Sequence, residues 1–446
     1  MVAPYPDLNR RLRNTDNIIK SNKIEIASQL HYKYPHDYLD VKTHNTMKRT
    51  MPWVDVVSPL RLQTTETQSL QPISVDKILI LCVDFPDKPH QISVETIYKR
   101  FFSDTGNSLK NYYKEVSYSR YIPKGVAYGW YRAPQPSTYY ADNQNGFGTY
   151  PKSAEKLVED VIELAKNDPN APIDWQSFDE NGNGYLDNLI VVHSGAEAAY
   201  TGNLNDLWAH VYVIPTPKTI QGENIWVYAM TSEYLSKPSD PQIIGGDCHE
   251  FGHLLGLPDL YDVSDNSNGV GIYSLMGAGS WANTGETPTH LDAWSKYVLG
   301  FSDATINPIG NMNLTCTEKD SKTIKYTTPD PKEYFLIENR QKMWYDKYLP
   351  SDGLFIWHIN ENQEYNDNKT CYMVGLIQAD GLKDLENKAN YGDTGDPYPG
   401  ITNNRSFGID TDPNSKLCNN TRQKLLIKSI SNSSHTMTFN SSFEIS

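Results

Sequence analysis

The stretch GGDCHEFGHLLGLPDLYD, from Gly245 to Asp262, contains two histidines four residues apart, with a glutamate directly after the first. On a helix, residues four apart lie one turn above each other on the same face. His249 and His253 can therefore offer two imidazole nitrogens to one metal ion, with Glu250 beside them. This is the H-E-x-x-H arrangement of zinc peptidases, in which the glutamate is the general base. The stretch predicts a zinc site and a peptidase domain built around it.

The residues after the second histidine predict how a third ligand reaches the ion. Gly256 tolerates the positive φ that ends a helix and turns the chain, and Pro258 prevents the helix from resuming. The turn brings Asp259 toward the metal, and a carboxylate oxygen is an acceptable zinc ligand at about 2.0–2.2 Å. We therefore expect Asp259 as the third zinc ligand, with Asp262 and Glu286 as the rival carboxylates.

Coincidence is a poor explanation for this pattern. A chance H-E-x-x-H is expected in roughly one or two of a hundred sequences of this composition. The glycine and the aspartate that follow at the required positions make chance far less plausible still. The sequence thus favours a metal site over a helix that happens to hold two histidines.

A methionine in a glycine-rich segment follows the zinc motif. The segment GIYSLMGAGSW, Gly271–Trp281, places Met276 in a predicted tight turn. Metzincin peptidases carry a Met-turn beneath the metal after their long zinc motif. We predict that Met276 forms this turn, and ordinary core packing is the alternative.

A second cation site is predicted upstream, in the segment DENGNGYLD. Oxygen ligands stand at alternate positions with a glycine at the sixth, as in a calcium loop. The segment departs from an EF-hand, because Ile190 occupies the twelfth position in place of a glutamate. A turn rich in Asn and Asp is the alternative. We predict a structural Ca²⁺ ion whose ligands come from Asp179, Asn181, Asn183, Tyr185 and Asp187.

The wider pattern predicts three regions. Buried strands are indicated by KILILCVDF and YLDNLIVVHSG, and helices by SLKNYYKEV and SAEKLVEDVIELAK, with Ser108 as the cap of the first helix. Strands and helices interleaved in this way predict an α/β (α+β) catalytic domain over residues 76–302. Residues 303–446 carry short strand-like runs between Asn, Asp, Gly and Pro, which predict a mainly β domain. Residues 1–75 are polar and irregular, and we expect a lead-in or pro-segment there.

Composition and charge limit the partners. The net charge of -14 argues against nucleic acid as a partner, and no apolar run is long enough to span a bilayer. The first thirty residues contain no apolar segment typical of a signal peptide. All N-x-S/T sequons lie in the last third, which suits a secreted protein although an Asn-rich segment also creates them by chance: Asn313, Asn368, Asn404, Asn419, Asn432 and Asn440.

The five cysteines leave at least one unpaired. Cys82 lies in an apolar run and Cys248 adjoins the zinc motif, so we expect both to be buried thiols. One disulfide can form among the three cysteines of the last third, Cys316, Cys371 and Cys418.

Several of these segments resemble the immune inhibitor A family of metallopeptidases. The likeness is carried by HEFGHLLGLPDLYD, YSLMGAGSW and PTHLDAWSKYVLGF, by LKNYYKEVSYSR upstream, and by EYFLIENRQ, GLFIWHIN and GDTGDPYPG downstream. It runs from about residue 77 to the end of the chain. The resemblance implies an exported zinc endopeptidase of metzincin-like architecture, with calcium sites, a pro-segment and a following β-rich domain.

We therefore expect a zinc-dependent endopeptidase that acts on proteins or peptides, and a secreted or extracellular location. Two other classes remain open. One is a non-catalytic surface or adhesion protein on a peptidase scaffold, and the other is a different zinc hydrolase such as an amidase. A surface protein of that kind usually loses a ligand or the general base, whereas all of them are present here.

Overall fold

The computed structural model describes residues 77–180, 182–240 and 243–443. The predicted lead-in segment, residues 1–75, lies outside the described residues. The chain divides into two compact units. The first runs to Lys114 and includes Tyr121–Leu257 and Thr284–Glu286, and the second comprises Glu115–Arg120, Pro258–Asn283 and the chain from Thr287 onward. The predicted domain boundaries at 75/76 and 302/303 stay predictions.

The first unit contains a five-stranded sheet in the order β2-β1-β3-β5-β4. Four strands are parallel, and β4, at one edge, is antiparallel to β5. The central strands β1 and β3 are buried along almost their whole length, which explains their unbroken apolar sequences. The strands are β1 Lys77–Asp84, β2 Lys124–Arg132, β3 Leu189–Ala196, β4 His210–Ile220 and β5 Glu223–Tyr234.

Helices lie between the strands of this sheet and after its last strand. The predicted helix after Ser108 is present, and the Ser108 hydroxyl accepts a hydrogen bond from the backbone N–H of Asn111 at 3.0 Å. The predicted helix α4, Ala154–Lys166, is also present. The helical period of its sequence places Leu164 on the apolar face with Leu157 and Val161, but Leu164 is 37% exposed, because its side chain lies at the border of that face. The helices are α1 Val94–Phe102, α2 Leu109–Val116, α3 Ser137–Ala141, α4 Ala154–Lys166, α5 Ala198–Thr201 and α6 Gly245–Leu254, with a 3-10 turn at Trp175–Phe178.

The second unit is rich in β-structure. One sheet has the order β11-β10-β9-β8-β6 and another the order β12-β13-β7. All neighbours pair antiparallel except β6 and β8. The elements are α7 Ala293–Val298, β6 Asp303–Ile306, β7 Gly310–Thr315, β8 Lys322–Thr327, β9 Glu333–Arg340, β10 Gly353–Asn360, β11 Val374–Leu376, β12 Leu425–Lys428 and β13 Thr436–Phe443. The predicted β-rich C-terminal region is thus confirmed, and the fold as a whole is mixed α/β.

The cysteines behave as the sequence indicated. Cys82 and Cys248 are buried thiols, and Cys371 forms a disulfide with Cys418. Cys316 is the third buried thiol among the described residues. In the part of the chain that the structure describes, no helix combines the length and the apolar character needed to cross a membrane.

Candidate metal centre

The helix α6 carries the H-E-x-x-H motif and ends in a tight, glycine-dependent turn. The N–H of Leu257 donates to the carbonyl of Gly252 at 3.0 Å, and the N–H of Gly256 donates to the carbonyl of His253 at 2.9 Å. These two bonds are those of a Schellman motif, which requires a left-handed residue just after the helix. Gly256 supplies it with a φ of 93°. The sequence therefore identified correctly where the helix stops and which residue stops it.

The two motif histidines face each other across one turn of α6. Their Nε2 atoms lie 3.1 Å apart, with the rings almost perpendicular. Two nitrogens bound to one tetrahedral zinc at about 2.0–2.1 Å would be separated by about 3.3 Å. The distance between the histidines therefore fits their sharing a single ion.

A backbone carbonyl fixes the orientation of His253. Its Nδ1 lies 2.7 Å from the carbonyl oxygen of Leu257 and donates a hydrogen bond to it. The proton on Nδ1 leaves the Nε2 lone pair available to a metal. Such an outer contact is the usual means by which proteins set the tautomer and the direction of a histidine ligand.

The predicted third ligand lies with the two histidines. One ligand atom from each of His249, His253 and Asp259 falls within 4.8 Å of the others. The rival carboxylate of Asp262 is bound instead by its own loop. It accepts hydrogen bonds from the hydroxyls of Ser264 at 2.6 Å and Ser267 at 2.7 Å.

A second group in the described chain has comparable spacing but different chemistry. It consists of Glu333, His358 and Cys418. Cys418 is bonded to Cys371, so its sulfur has no thiolate to offer. Glu333 is also occupied, because it accepts hydrogen bonds from His358 at 2.9 Å and from the backbone N–H of Cys418 at 2.7 Å. This group is a structural link between strands and the disulfide.

Glu250 is fully buried on α6. The nearby acid Glu197, at the end of β3, was not anticipated from the sequence. The pKa of Glu197 is raised to about 7, mainly by burial. Hydrogen bonds from the backbone N–H groups of Ala199 and Ala209 oppose this shift, and the charge of Glu250 adds to it. Glu197 also caps the short helix α5. The sequence does not indicate that Glu197 lies near Glu250, because a single glutamate after a strand forms no motif and only the fold brings the two residues together.

Contacts from α1 and α2 hold α6 in place. The hydroxyl of Tyr113 donates to the carbonyl oxygen of Cys248 at 2.7 Å, and the ring of Tyr113 packs edge-on against Phe251. Arg100, on α1, is buried and donates to the carbonyl oxygens of Ser232 and Glu233, each at 3.0 Å. The end of β5 is thereby tied to the neighbourhood of α6. These residues precede the motif by more than a hundred positions, so the sequence alone did not single them out.

Met276 lies in the predicted glycine-rich turn and is fully buried. Its carbonyl oxygen accepts a hydrogen bond from the N–H of Leu260 at 2.8 Å. The segment that follows Asp259 is therefore paired directly with the methionine turn. The turn is closely packed, since a Cβ on Gly279 would come within 2.3 Å of the carbonyl oxygen of Ser274.

The predicted calcium loop folds around one carboxylate. Asp179 accepts hydrogen bonds from the N–H groups of Gly182 and Gly184, both at 2.8 Å. Asp187 accepts from the N–H of Glu180 at 2.8 Å. Asn181 lies outside the described residues. The carboxylates of Asp179 and Asp187 thus point toward the backbone of their own loop.

Glu223, the first residue of β5, was not part of the predicted loop. Desolvation raises its pKa, and its hydrogen bond with the carboxyl of Asp179 and the charge of that group raise it further. An additional carboxylate therefore lies beside the loop, which lacks a glutamate at its own twelfth position. Two strands and a short helix separate Glu223 from the loop, so no local motif indicates that it lies there.

Comparison with known proteins finds similarity to metallopeptidases. Residues 92–302 match the family model described as immune inhibitor A peptidase M6, catalytic domain. The pre-pro-metalloprotease PrtV of Vibrio cholerae serotype O1 is 29% identical over 342 residues, which cover 65% of this chain and 37% of that protein. Immune inhibitor A of Bacillus thuringiensis subsp. alesti is 29% identical over 268 residues, which cover 50% of this chain and 39% of that protein.

The chain thus spans less than two fifths of the length of these relatives. The matched family region contains α6, the turn after it and the methionine turn. The resemblance stated from the sequence motifs is confirmed: this chain contains a region similar to the catalytic domain of the immune inhibitor A, or M6, metallopeptidases.

Proposed function

We propose that the protein is a zinc-dependent endopeptidase that hydrolyses peptide bonds within proteins or peptides. The observation that carries this proposal is the pair of Nε2 atoms of His249 and His253, 3.1 Å apart on one face of α6. A buried imidazole and a half-buried one facing each other at this distance have little structural purpose without an ion to share. Glu250 between them supplies the base that a hydrolase needs.

The proposed zinc ligands are His249, His253 and Asp259. Three protein ligands and one open position are the usual set of a catalytic zinc site. When bound, zinc lowers the pKa of a water molecule to about 7 and polarises the carbonyl of the peptide bond. Imidazole nitrogens and a carboxylate oxygen are donors that suit zinc, so the residues present fit this ion.

Glu250 acts as the general base in this proposal. Its carboxylate accepts a proton from the water that attacks the carbonyl carbon, and it then gives that proton to the nitrogen of the leaving amine. Its complete burial strengthens electrostatic interactions in the site. Glu197 lies close enough for the charges of the two acids to interact.

Four further features belong to the proposal. The catalytic domain has a metzincin-like architecture, in which Met276 forms the Met-turn. The hydrogen bond from the N–H of Leu260 to the carbonyl oxygen of Met276 supports this role. The loop Asp179–Asp187 binds a structural Ca²⁺ ion, supported by the carboxyl of Glu223 beside Asp179. The protein acts outside the cell, supported by its disulfide, because disulfides persist in oxidising compartments.

Digestion of casein by the purified full-length chain tests the activity. We expect proteolysis that a zinc chelator abolishes and that added Zn²⁺ restores. Elemental analysis of the same preparation should find one zinc per chain. A protein that binds zinc but cleaves neither casein nor short peptides would be a non-catalytic surface protein. A protein that cleaves only a non-peptide amide would be a different hydrolase.

A further inference from the structure

Two sequons flank the disulfide of the second unit. Asn368 precedes Cys371 by three residues, and Asn419 directly follows Cys418. Each is the first residue of an N-x-T triplet, which is the acceptor signal for N-linked glycans in secreted proteins. The disulfide thus marks both sequons as belonging to a region that matures under oxidising conditions. Residues 1–302 contain no sequon.

Both asparagines are exposed, and both direct their amide oxygen toward the third residue of the triplet. The Oδ1 of Asn368 accepts hydrogen bonds from the Thr370 hydroxyl at 2.7 Å and from its N–H at 3.2 Å. The Oδ1 of Asn419 accepts from the N–H of Thr421 at 2.8 Å. Among the described residues, neither Nδ2 donates to any group of the protein. A substituent on these nitrogens would therefore extend into solvent without breaking a contact.

The sequon at Asn404 differs in this respect. This side chain is half-buried, and its Nδ2 donates to the carbonyl oxygens of Ala379 at 2.8 Å and Asp412 at 3.2 Å. A sugar on Nδ2 would replace one of the two donated hydrogens and would need space that the fold fills. Chains modified at this position would lose that link between two loops.

We propose that Asn368 and Asn419 carry N-linked glycans, whereas Asn404 stays unmodified. The transfer forms a bond between Nδ2 of the asparagine and C1 of the first sugar. It breaks the bond between that C1 and the diphosphate of a polyprenyl-linked oligosaccharide donor, and the amide proton leaves with the polyprenyl diphosphate. The inference rests on the export proposed above.

The test uses the full-length protein purified from the cells that make it. Deglycosylation by peptide:N-glycosidase in heavy-oxygen water converts each glycosylated asparagine to labelled aspartate, which peptide mass spectrometry locates. We expect label at Asn368 and Asn419 and none at Asn404. A missing label at Asn368 or Asn419, or label at Asn404, overturns the proposal.

Variants made in the same cells give an independent reading. Thr370→Ala and Thr421→Ala should each remove one glycan and speed migration on a denaturing gel, whereas Thr370→Ser and Ser406→Ala should migrate like the natural protein. Non-reducing peptide maps separate two kinds of failure. An intact Cys371–Cys418 bridge beside bare asparagines refutes glycosylation alone, and a reduced pair with bare asparagines refutes the export as well. Neither result bears on the casein assay.

Discussion

Arg100 and Asp247 form a buried ion pair at the beginning of the metal-binding helix. The Nε of Arg100 lies 2.8 Å from one carboxylate oxygen of Asp247, and its Nη2 donates to the other at 3.2 Å. Each residue is 3% exposed. Asp247 stands two positions before His249, and Ile244, which precedes the helix, provides no side-chain cap. The pair therefore anchors the first turn of α6 to α1 and, through Arg100, to the end of β5.

Replacing Arg100 should weaken both the fold and metal binding. Arg100→Met leaves the Asp247 carboxylate buried without its cation, a change that typically costs about 3–5 kcal/mol. Because the pair supports the helix that holds the histidines, we also expect zinc affinity to fall about 10–100-fold. Urea unfolding and zinc competition with a chelator measure the two effects. Lys99→Met, at the exposed neighbouring position, is the control, and equal behaviour of the two variants would contradict this role.

Glu250→Gln should retain zinc and the fold while losing most proteolysis. The amide cannot accept a proton from the attacking water, and general-base catalysis contributes roughly 10²–10⁴-fold. The measurement is kcat on a peptide substrate together with the zinc content. Glu95→Gln, an exposed change of the same chemistry on α1, should leave kcat unaltered. Turnover by Glu250→Gln within a factor of about two of the natural protein would exclude Glu250 as the base.

Asp259→Ala should weaken zinc binding by more than about 100-fold. A residue that binds the metal directly contributes more to affinity than the outer hydrogen bonds that orient it. Asp262→Ala should have little effect on zinc, since the Asp262 carboxylate is bound by Ser264 and Ser267. Zinc titrations of these variants and of Glu286→Ala decide among the three acids. Tight binding by Asp259→Ala with loss in either of the others would show that the third ligand had been assigned to the wrong residue.

Asp259→His extends this test. It recreates the three-histidine set that is common among peptidases with long zinc motifs. We expect zinc to stay bound and some activity to survive. The pH at which kcat falls on the acidic side of its profile should shift, because a neutral imidazole replaces a negatively charged ligand. Loss of zinc from this variant would mean that the geometry at position 259 admits only the shorter carboxylate.

Calcium should stabilise the protein through the loop Asp179–Asp187. A ligand present at a hundred times its Kd stabilises the state it binds by about 2.7 kcal/mol. We therefore expect Tm to rise when Ca²⁺ is added to metal-depleted protein, and Asp179→Asn and Glu223→Gln to reduce that rise. Asp174→Asn, just before the loop, serves as the control. The same rise in all three variants would locate any calcium elsewhere.

His210 should make the first unit sensitive to acid. Its Nδ1 donates to the carbonyl of Trp208 at 2.6 Å, the Tyr228 hydroxyl donates to its Nε2 at 3.0 Å, and burial lowers its pKa to about 3. The unfolded chain binds this proton near pH 6.5, so the unfolded state gains protons first as the pH falls. The stabilisation that neutral His210 gives the folded state is therefore fully present above pH 6.5. It is lost progressively as the pH falls to about 3, and the free energy of unfolding decreases by as much as about 5 kcal/mol over that range.

The difference between two proteins isolates this effect from other titrating groups. Urea unfolding of the natural protein and of His210→Gln, measured from pH 7.5 to 4, should show that the advantage of histidine shrinks with acidification. A difference in free energy of unfolding that stays constant over this range would contradict a neutral, buried His210.

The parts of the fold that sequence predicted are those fixed by local patterns. An unbroken apolar run specified β1, a serine cap specified the start of α2, and Gly256 specified the end of α6. Each of these depends on neighbours within a few residues. The strand β2 was not predicted, because most of its residues are half-buried and its sequence alternates weakly. Its place beside β1 follows from the topology of the sheet.

The candidate site divides in the same way. The motif itself named His249, His253 and Glu250, because one helical turn determines their spacing. Arg100 and Glu197 could not be named, since they come from other elements and meet α6 only when the sheet has formed. Among the cysteines, the count allowed one disulfide in the last third but did not choose Cys371 and Cys418. Such pairings depend on contacts between residues distant in the chain.

The turn that ends α6 also sets the direction of a ligand. The carbonyl that receives the proton of His253 belongs to Leu257, the same residue whose N–H closes the helix on Gly252. Termination of the helix and selection of the imidazole tautomer are consequently one structural event. Inserting or deleting a residue between His253 and Leu257 would move the acceptor and release the ring, even with every ligand retained. The spacing between His253 and Leu257 is therefore a hydrogen-bonding requirement of the backbone, and a loop graft at this point must carry the whole turn.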